Sequence, residues 1–140
     1  MSLKCILVVG FKIEEEQIIQ RQWFKSGLRV PLRFASDAEI ALELIPKSRH
    51  FYERPDLVIV KLKEDQDNGW EFLTSMRKQP KHREVLVIVC AENFSAEAAE
   101  RAYALGADSC VDMSSDFWQL FRLLHRVERH WFEPPDRMVA

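Results

Sequence analysis

Three short, unbroken runs of apolar residues constrain the fold of this chain more than any other feature of its sequence. They lie at residues 5–9, 57–60 and 85–89, and most of their members are valine, isoleucine or leucine. A strand with one face in water alternates apolar and polar residues, whereas these runs do not alternate. Unbroken runs are typical of strands that are covered on both faces, as in a parallel sheet.

Weaker strand patterns and helical patterns fill the segments between and after these runs. Residues 30–34 include Pro31, which favours a strand at the edge of a sheet, and residues 109–111 predict a short fifth strand. Ser36 with Glu39 forms a capping box, Ser95 is a candidate N-cap, and Gly27 is a helix stop signal. The apolar spacing predicts helices over residues 14–26, 36–45, 70–78, 96–105 and 116–131.

Strand and helix patterns therefore alternate five times along the chain. Such alternation predicts an α/β fold of the (βα)5 type, with right-handed crossovers and helices on both faces of a parallel sheet. The flavodoxin-like, doubly wound sheet with five strands in the order 2-1-3-4-5 fits the length of 140 residues. We expect one domain over residues 3–132 and a loose C-terminal tail over residues 133–140.

Composition excludes several functional classes. Lysine and arginine total 20 against 22 aspartate and glutamate residues, so the formal net charge of −2 gives no indication of a nucleic-acid or membrane-surface partner. The longest apolar runs span about five residues, far fewer than the roughly 18 that a membrane-spanning helix needs. The three cysteines form no CxxC pair, which favours reduced thiols in a cytoplasmic protein.

The carboxyl ends of the strands are where we expect functional residues. In a doubly wound sheet, sites lie beyond these ends, near the point at which the strand order reverses. In this chain that edge comprises Gly10 and Phe11 together with residues 61–69, 90–92 and 112–115.

Several segments of the chain resemble the receiver domain of two-component response regulators, a CheY-like fold. The resemblance is carried by PDLVIV at residues 55–60, NGWEFL at residues 68–73, AYALGAD at residues 102–108 and the helix through residues 125–127. The resemblance covers residues 3–132. Within the family, the sequence pattern is similar to that of the single-domain regulators that partner bacterial phytochromes. The resemblance implies a role in bacterial phosphorelay signalling.

The resemblance also implies a phosphorylation pocket, and this sequence departs from it at every position. Working receivers hold Mg²⁺ with two acids after the first strand and an aspartate at the end of the third, and the aspartate accepts the phosphoryl group. A hydroxyl residue ends the fourth strand and a lysine ends the fifth. Here these positions carry Gly10, Phe11, Lys61, Cys90 and Met113, and the aromatic switch position of the fifth strand carries Cys110.

A pocket without carboxylates has neither a metal site nor a phosphoacceptor. We therefore expect no bound metal, no enzymatic activity and no phosphorylation at the usual site. One alternative is a displaced acceptor at Asp65 or Asp67, although these residues also fit a solvated acidic loop that offsets Lys61 and Lys63.

Two further alternatives use the altered pocket in other ways. A redox or small-molecule sensor is one, since Lys61 could lower the pKa of a nearby Cys90 thiol. Flavin binding is the other use of this sheet order, but it needs a phosphate cradle after the first strand. The three glutamates at residues 14–16 repel phosphate there, so we expect no cofactor.

A candidate interaction surface lies on the fourth helix, fifth strand and fifth helix. In receivers this face is the usual partner and dimer surface, and aromatic residues flanked by arginine are typical of interfaces. We expect a protein partner there, such as a histidine kinase, a photosensor or a downstream signalling protein, or a second copy of the chain. The candidate residues are Tyr103, Trp118, Arg122 and Arg126.

Overall fold

The structure is a computed structural model, and it describes residues 5–25, 27, 30–37, 40–41, 55–62, 68–78, 85–113 and 122. Ile40, Ala41 and Arg122 have helical backbone. The remaining elements, in chain order, are β1 (Ile6–Val9), α1 (Ile13–Lys25), β2 (Leu32–Ala35), β3 (Leu57–Lys61), α2 (Asn68–Lys78), β4 (Leu86–Ala91), α3 (Ala96–Ala104) and β5 (Ser109–Asp112).

The five strands form one parallel sheet in the order β2-β1-β3-β4-β5, as the sequence predicts. The chain runs from β1 outward to β2 and then returns to place β3 on the other side of β1. The strand order therefore reverses between β1 and β3, and their carboxyl ends meet at the crevice where such folds bind ligands. The strand that follows Pro31 lies at an edge of the sheet, as its proline predicts.

The core consists of two apolar layers, one on each face of the sheet. Ile19 and Trp23 of α1 pack on one face, with alternate side chains of β1, β3 and β4. Phe72 and Leu73 of α2 and Ala102 of α3 pack on the other face. Every residue of β1 and β3 is buried, so the unbroken apolar runs have the double-sided cover that they predict.

The helix signals are confirmed in two places and shifted in one. The Oγ atom of Ser95 accepts a hydrogen bond from the Ala98 N–H and caps α3. Gly27 follows α1 with a φ of 80°. The capping box at residues 36–39 is one residue out of register, because the Oδ1 atom of Asp37 accepts the hydrogen bond from the Ile40 N–H at 2.9 Å.

Some predicted features lie outside the described residues. These are most of the helix over residues 116–131, the tail over residues 133–140, and the acidic loop that contains Asp65 and Asp67. The candidate interface residues Trp118 and Arg126 lie outside them too. Among the described helices, none combines the length and apolar character that crossing a bilayer requires.

Candidate functional site

The residues that carry the family resemblance make structural contacts. Arg77 of α2 donates two hydrogen bonds to the Gly106 carbonyl oxygen, at 3.1 Å from Nε and 2.7 Å from Nη2. It also forms an ion pair with Asp108 at 3.1 Å, and the same Asp108 oxygen accepts a hydrogen bond from the Val87 N–H of β4. We call this group the Arg77 latch. It connects α2, the turn before β5 and the start of β4.

A second motif glycine permits close packing beside the crevice. A Cβ atom on Gly69 would lie 2.5 Å from the Cδ2 atom of Leu62, well inside van der Waals contact. The first turn of α2 therefore lies so close to Leu62 that a side chain at position 69 would have to displace the end of the Leu62 side chain. This glycine and the Arg77 latch position the helices and strands around the crevice. Their role is structural, and it does not require them to take part in phosphoryl transfer.

The structure brings the five altered pocket positions together at the carboxyl ends of the strands. Phe11, Cys90 and Met113 are buried in the same apolar cluster. Lys61 is the register partner of Cys90 on the neighbouring strand, and its Nζ atom lies 5.9 Å from the centre of the Phe11 ring. Gly10 is buried beside them, with a φ of 83°. The pocket is therefore a packed apolar site that contains one ammonium group.

The Lys61 ammonium is held by a glutamate from the first turn of α1. Its Nζ atom lies 2.9 Å and 2.8 Å from the two carboxylate oxygens of Glu15, and 3.5 Å from Glu92 on the loop after β4. The Lys61 side chain is 7% exposed, whereas those of Glu15 and Glu92 are 18% and 61% exposed. A buried ammonium needs such partners, because removing it from water without them costs several kcal/mol.

This arrangement assigns Lys61 partners that the sequence did not indicate. The acidic loop over residues 64–67 was the expected source of carboxylates for Lys61, and it lies outside the described residues. Among the residues that the structure describes, the partners are Glu15 and Glu92. Glu15 also accepts a hydrogen bond from the Lys12 N–H at 2.9 Å. One carboxylate therefore connects the segment between β1 and α1 with Lys61 at the end of β3.

The residues in this pocket do not fit Mg²⁺. A hard divalent cation needs several oxygen ligands and carboxylate charge, and Gly10 and Phe11 supply no carboxylate. The Glu15 carboxylate, which is 18% exposed, is already bound to the Lys61 ammonium, whose charge opposes a second cation. Within the described part of the chain, no group of three or more histidine, cysteine or acidic residues is arranged to hold a metal ion.

The environment of Cys90 disfavours the thiolate form. Burial raises the pKa of this thiol far above its ordinary value, and the nearby Lys61 ammonium lowers the pKa by less than burial raises it. Cys90 has no exposed surface. Since the thiolate is the reactive form, this geometry does not favour the redox-sensor alternative.

A thiol-modification experiment tests this conclusion. We expect a thiol-specific reagent at pH 8 to leave Cys90 unmodified in the native protein and to modify it after unfolding, because burial blocks access and disfavours the thiolate. Peptide mapping by mass spectrometry locates the modified cysteine, with Cys110 as the more exposed reference. Rapid modification of Cys90 in the native protein would instead support the redox-sensor alternative.

The described part of the candidate interaction surface lies on α3 and β5. Tyr103 is half exposed, and its side chain hydrogen-bonds with that of Cys110, the residue at the aromatic switch position. Burial raises the pKa of the Cys110 thiol, and the bond with Tyr103 lowers it by less. The structure thus joins the Tyr103 candidate to the switch position. Arg122 is exposed and helical.

The role of Glu15 differs from the one that the sequence predicts. The sequence pattern groups the three glutamates at residues 14–16 as acidic residues at the start of a helix. The distinguishing signal was nonetheless present, since Glu15 lies four residues before the buried Ile19 and so falls near the buried side of α1. Glu92 lies within residues 90–92, which the sequence places at the same edge of the sheet as Lys61, but no pattern in the sequence indicates that the two residues pair.

Comparison with known proteins identifies similar chains. No family model matches the sequence. Response regulator Rcp1 of Synechocystis sp. is 20% identical over 132 residues, which are 93% of this chain and 90% of that protein. The phosphorylated cyanobacterial phytochrome response regulator RcpA is 21% identical, with a TM-score of 0.75 over 93% of this chain and 94% of that one. Response regulator RPA3017, in red light signalling of R. palustris, is 20% identical, with a TM-score of 0.76 over 94% of this chain and 95% of that one.

These likenesses confirm the predicted resemblance to response regulator receiver domains and the five-stranded fold that goes with it. They extend over nearly the whole length of both chains in each comparison. At about one-fifth identity they establish the architecture, so the chemistry has to be argued from the pocket of this chain.

Proposed function

We propose that this chain is a receiver-like domain of bacterial two-component signalling that acts through protein–protein contacts and is not phosphorylated at the usual site. The fold and the receiver-like relatives support the signalling role. The ion pair between Lys61 and Glu15 carries the second half of the proposal, because it occupies the strand ends at which a receiver would bind Mg²⁺ and phosphoryl oxygens.

An internal cation changes how such a pocket can switch. Phosphorylation biases a receiver between two states by adding charge that recruits neighbouring groups. In this chain the Lys61 ammonium already contacts carboxylates on the first turn of α1 and on the β4–α3 loop. These contacts favour one arrangement of both segments at all times. The surface that partners recognise is then constant, and signalling depends on binding.

The partner surface in this proposal is the face that contains Tyr103 and Arg122, with Trp118 and Arg126 on the predicted final helix. A histidine kinase, a photosensor or a downstream signalling protein is the class of partner that receiver-like relatives imply. Tyr103 supports the assignment because an exposed aromatic side chain beside a switch position is suited to contact a partner.

Incubation with Mg²⁺ and acetyl phosphate tests the proposal. We expect intact-mass measurement to detect no mass increase of one phosphoryl group, because position 61 carries no acceptor carboxylate and Gly10 and Phe11 supply no carboxylate for a metal ion. A receiver with an intact pocket, treated in parallel, is the positive control.

A different outcome would identify the displaced-acceptor alternative. An acid-labile adduct that forms on the native chain and disappears in the Asp65→Asn or Asp67→Asn variant would contradict the proposal and make that aspartate the acceptor. An adduct that persists in both variants would contradict the proposal and exclude these two residues.

A further inference from the structure

The outward side of α1 has an unusual composition for a helix in contact with water. Residues 13, 17, 20 and 24 follow helical spacing and form one row along the helix. Ile13 and Phe24 stand at its two ends, 66% and 83% exposed, and the exposed residues Gln17 and Gln20 lie between them. The row is therefore uncharged and has a large apolar side chain at each end.

A second, charged row lies beside the first. It contains Glu14 near the start of the helix, Ile18 in the middle, and Arg21 and Lys25 near the end, all of them exposed. The acidic group thus stands at one end of this row and the basic groups stand at the other. Both rows point away from Ile19 and Trp23, which bury the opposite side of the helix.

We propose that these two rows bind the same rows of a second copy of this chain, with the two α1 helices antiparallel about a two-fold axis. This proposal rests on the proposed function, because it assumes that the chain signals through protein contacts. It concerns a different surface from the face that contains Tyr103 and Arg122, which we call the Tyr103 face. A two-fold axis perpendicular to the helices brings each row against its own copy in reverse order.

The order of residues in each row fits this arrangement. In the uncharged row, Ile13 meets Phe24 of the second copy, and Gln17 meets Gln20. In the charged row, Glu14 meets Arg21 and Lys25, so opposite charges pair twice in the dimer. A parallel pair would instead place the uncharged row of each copy against the charged row of the other. The positions of the charged residues and of the apolar residues along α1 therefore both favour the antiparallel dimer.

The contacts at the two ends of α1 hold its outward face in place. Near the start, Glu15 is bound to Lys61 of β3 at 2.8 Å. Near the end, the Nε1 atom of Trp23 donates a hydrogen bond to the Val30 carbonyl oxygen at 2.9 Å. A surface that is fixed before binding loses less conformational entropy on association. One helix pair covers less than the roughly 800 Å² per partner of a stable complex, so we expect a reversible dimer.

Sedimentation velocity over a range of protein concentrations, with a charge-exchange design, tests the proposal. We expect Glu14→Lys alone, and Arg21→Glu with Lys25→Glu, each to weaken self-association at least tenfold, because each places like charges against each other in the homodimer. A mixture of the two variants should associate with about the wild-type affinity, since both charged contacts are then opposite in sign. Phe24→Ser should also weaken association, whereas Ile40→Ser, another exposed apolar residue, should not.

The outcomes separate this proposal from the proposed function. A wild-type chain that stays monomeric at every concentration, or variants that fail to associate when mixed, would overturn the α1 dimer. Self-association that is lost in Tyr103→Ser but kept in Phe24→Ser would overturn it as well, and would support the Tyr103 face. None of these results bears on phosphorylation, which the acetyl phosphate experiment tests independently.

Discussion

Glu15→Gln is expected to lower the free energy of unfolding by about 2–3 kcal/mol, whereas Lys61→Met should change it by less than about 1 kcal/mol. The asymmetry follows from burial. Removing the Glu15 charge leaves the Lys61 ammonium, 7% exposed, without its main counter-ion. Removing the ammonium instead leaves a carboxylate that is 18% exposed and can turn toward water, and methionine fills the apolar space beside Phe11.

Urea unfolding of the two single variants and of the double variant measures this effect. In the double variant the buried ammonium is absent, so we expect its stability to lie close to that of Lys61→Met, with a coupling energy of about 2 kcal/mol. Glu92→Gln is the matched control, because that carboxylate is 61% exposed and its oxygen lies 3.5 Å from Nζ. Equal losses for Glu15→Gln and Glu92→Gln would contradict the assignment of Glu15 as the principal partner.

Gly106→Ala is expected to lower the free energy of unfolding by about 2–3 kcal/mol. Its φ of 105° lies in a region that side chains rarely adopt, and a Cβ atom would lie 2.8 Å from Cγ and Nε of Arg77. Arg77 cannot move away without giving up its hydrogen bonds to the Gly106 carbonyl oxygen and its ion pair with Asp108. Backbone strain and loss of the Arg77 latch therefore add together.

Two control variants separate these contributions in thermal or urea unfolding. Gly27 has a φ of 80° with nothing within 4 Å of a Cβ atom, so Gly27→Ala should cost about 1 kcal/mol from backbone strain alone. In an Arg77→Ala background the steric part disappears, and Gly106→Ala should then cost about as much as Gly27→Ala. A cost for Gly106→Ala that does not change in this background would show that Arg77 is not the obstacle.

The sequence determines the sheet because the relevant signal is local. Each apolar run coincides with one strand to within two residues, and helices between parallel strands leave few strand orders that suit the length of the chain. The edge position of the strand after Pro31 follows from one residue. Helix ends are less well determined, since Ser36 and Asp37 are both good N-caps and only the structure distinguishes them.

The pocket could be predicted in part. Its five positions are those that the resemblance to receiver domains implies, and the structure places all five at the strand ends, buried and close together. The partners of Lys61 could not be read from the same pattern, because an ion pair between residues 46 positions apart depends on how a helix is turned against the sheet. Glu14, Glu15 and Glu16 have the same chemistry, and tertiary packing selects one of them.

The contacts of Gly10 have a consequence for any attempt to install a metal site in this pocket. Its φ of 83° and the 3.0 Å that would separate a Cβ atom from the Lys61 carbonyl oxygen make an acidic side chain costly at this position in the present backbone. An acid restored at position 61 would lose the ammonium and face the carboxylate of Glu15. An acidic residue at position 10 or at position 61 is therefore expected to give a less stable protein. A metal-binding pocket cannot be installed in this backbone by either substitution alone without a loss of stability.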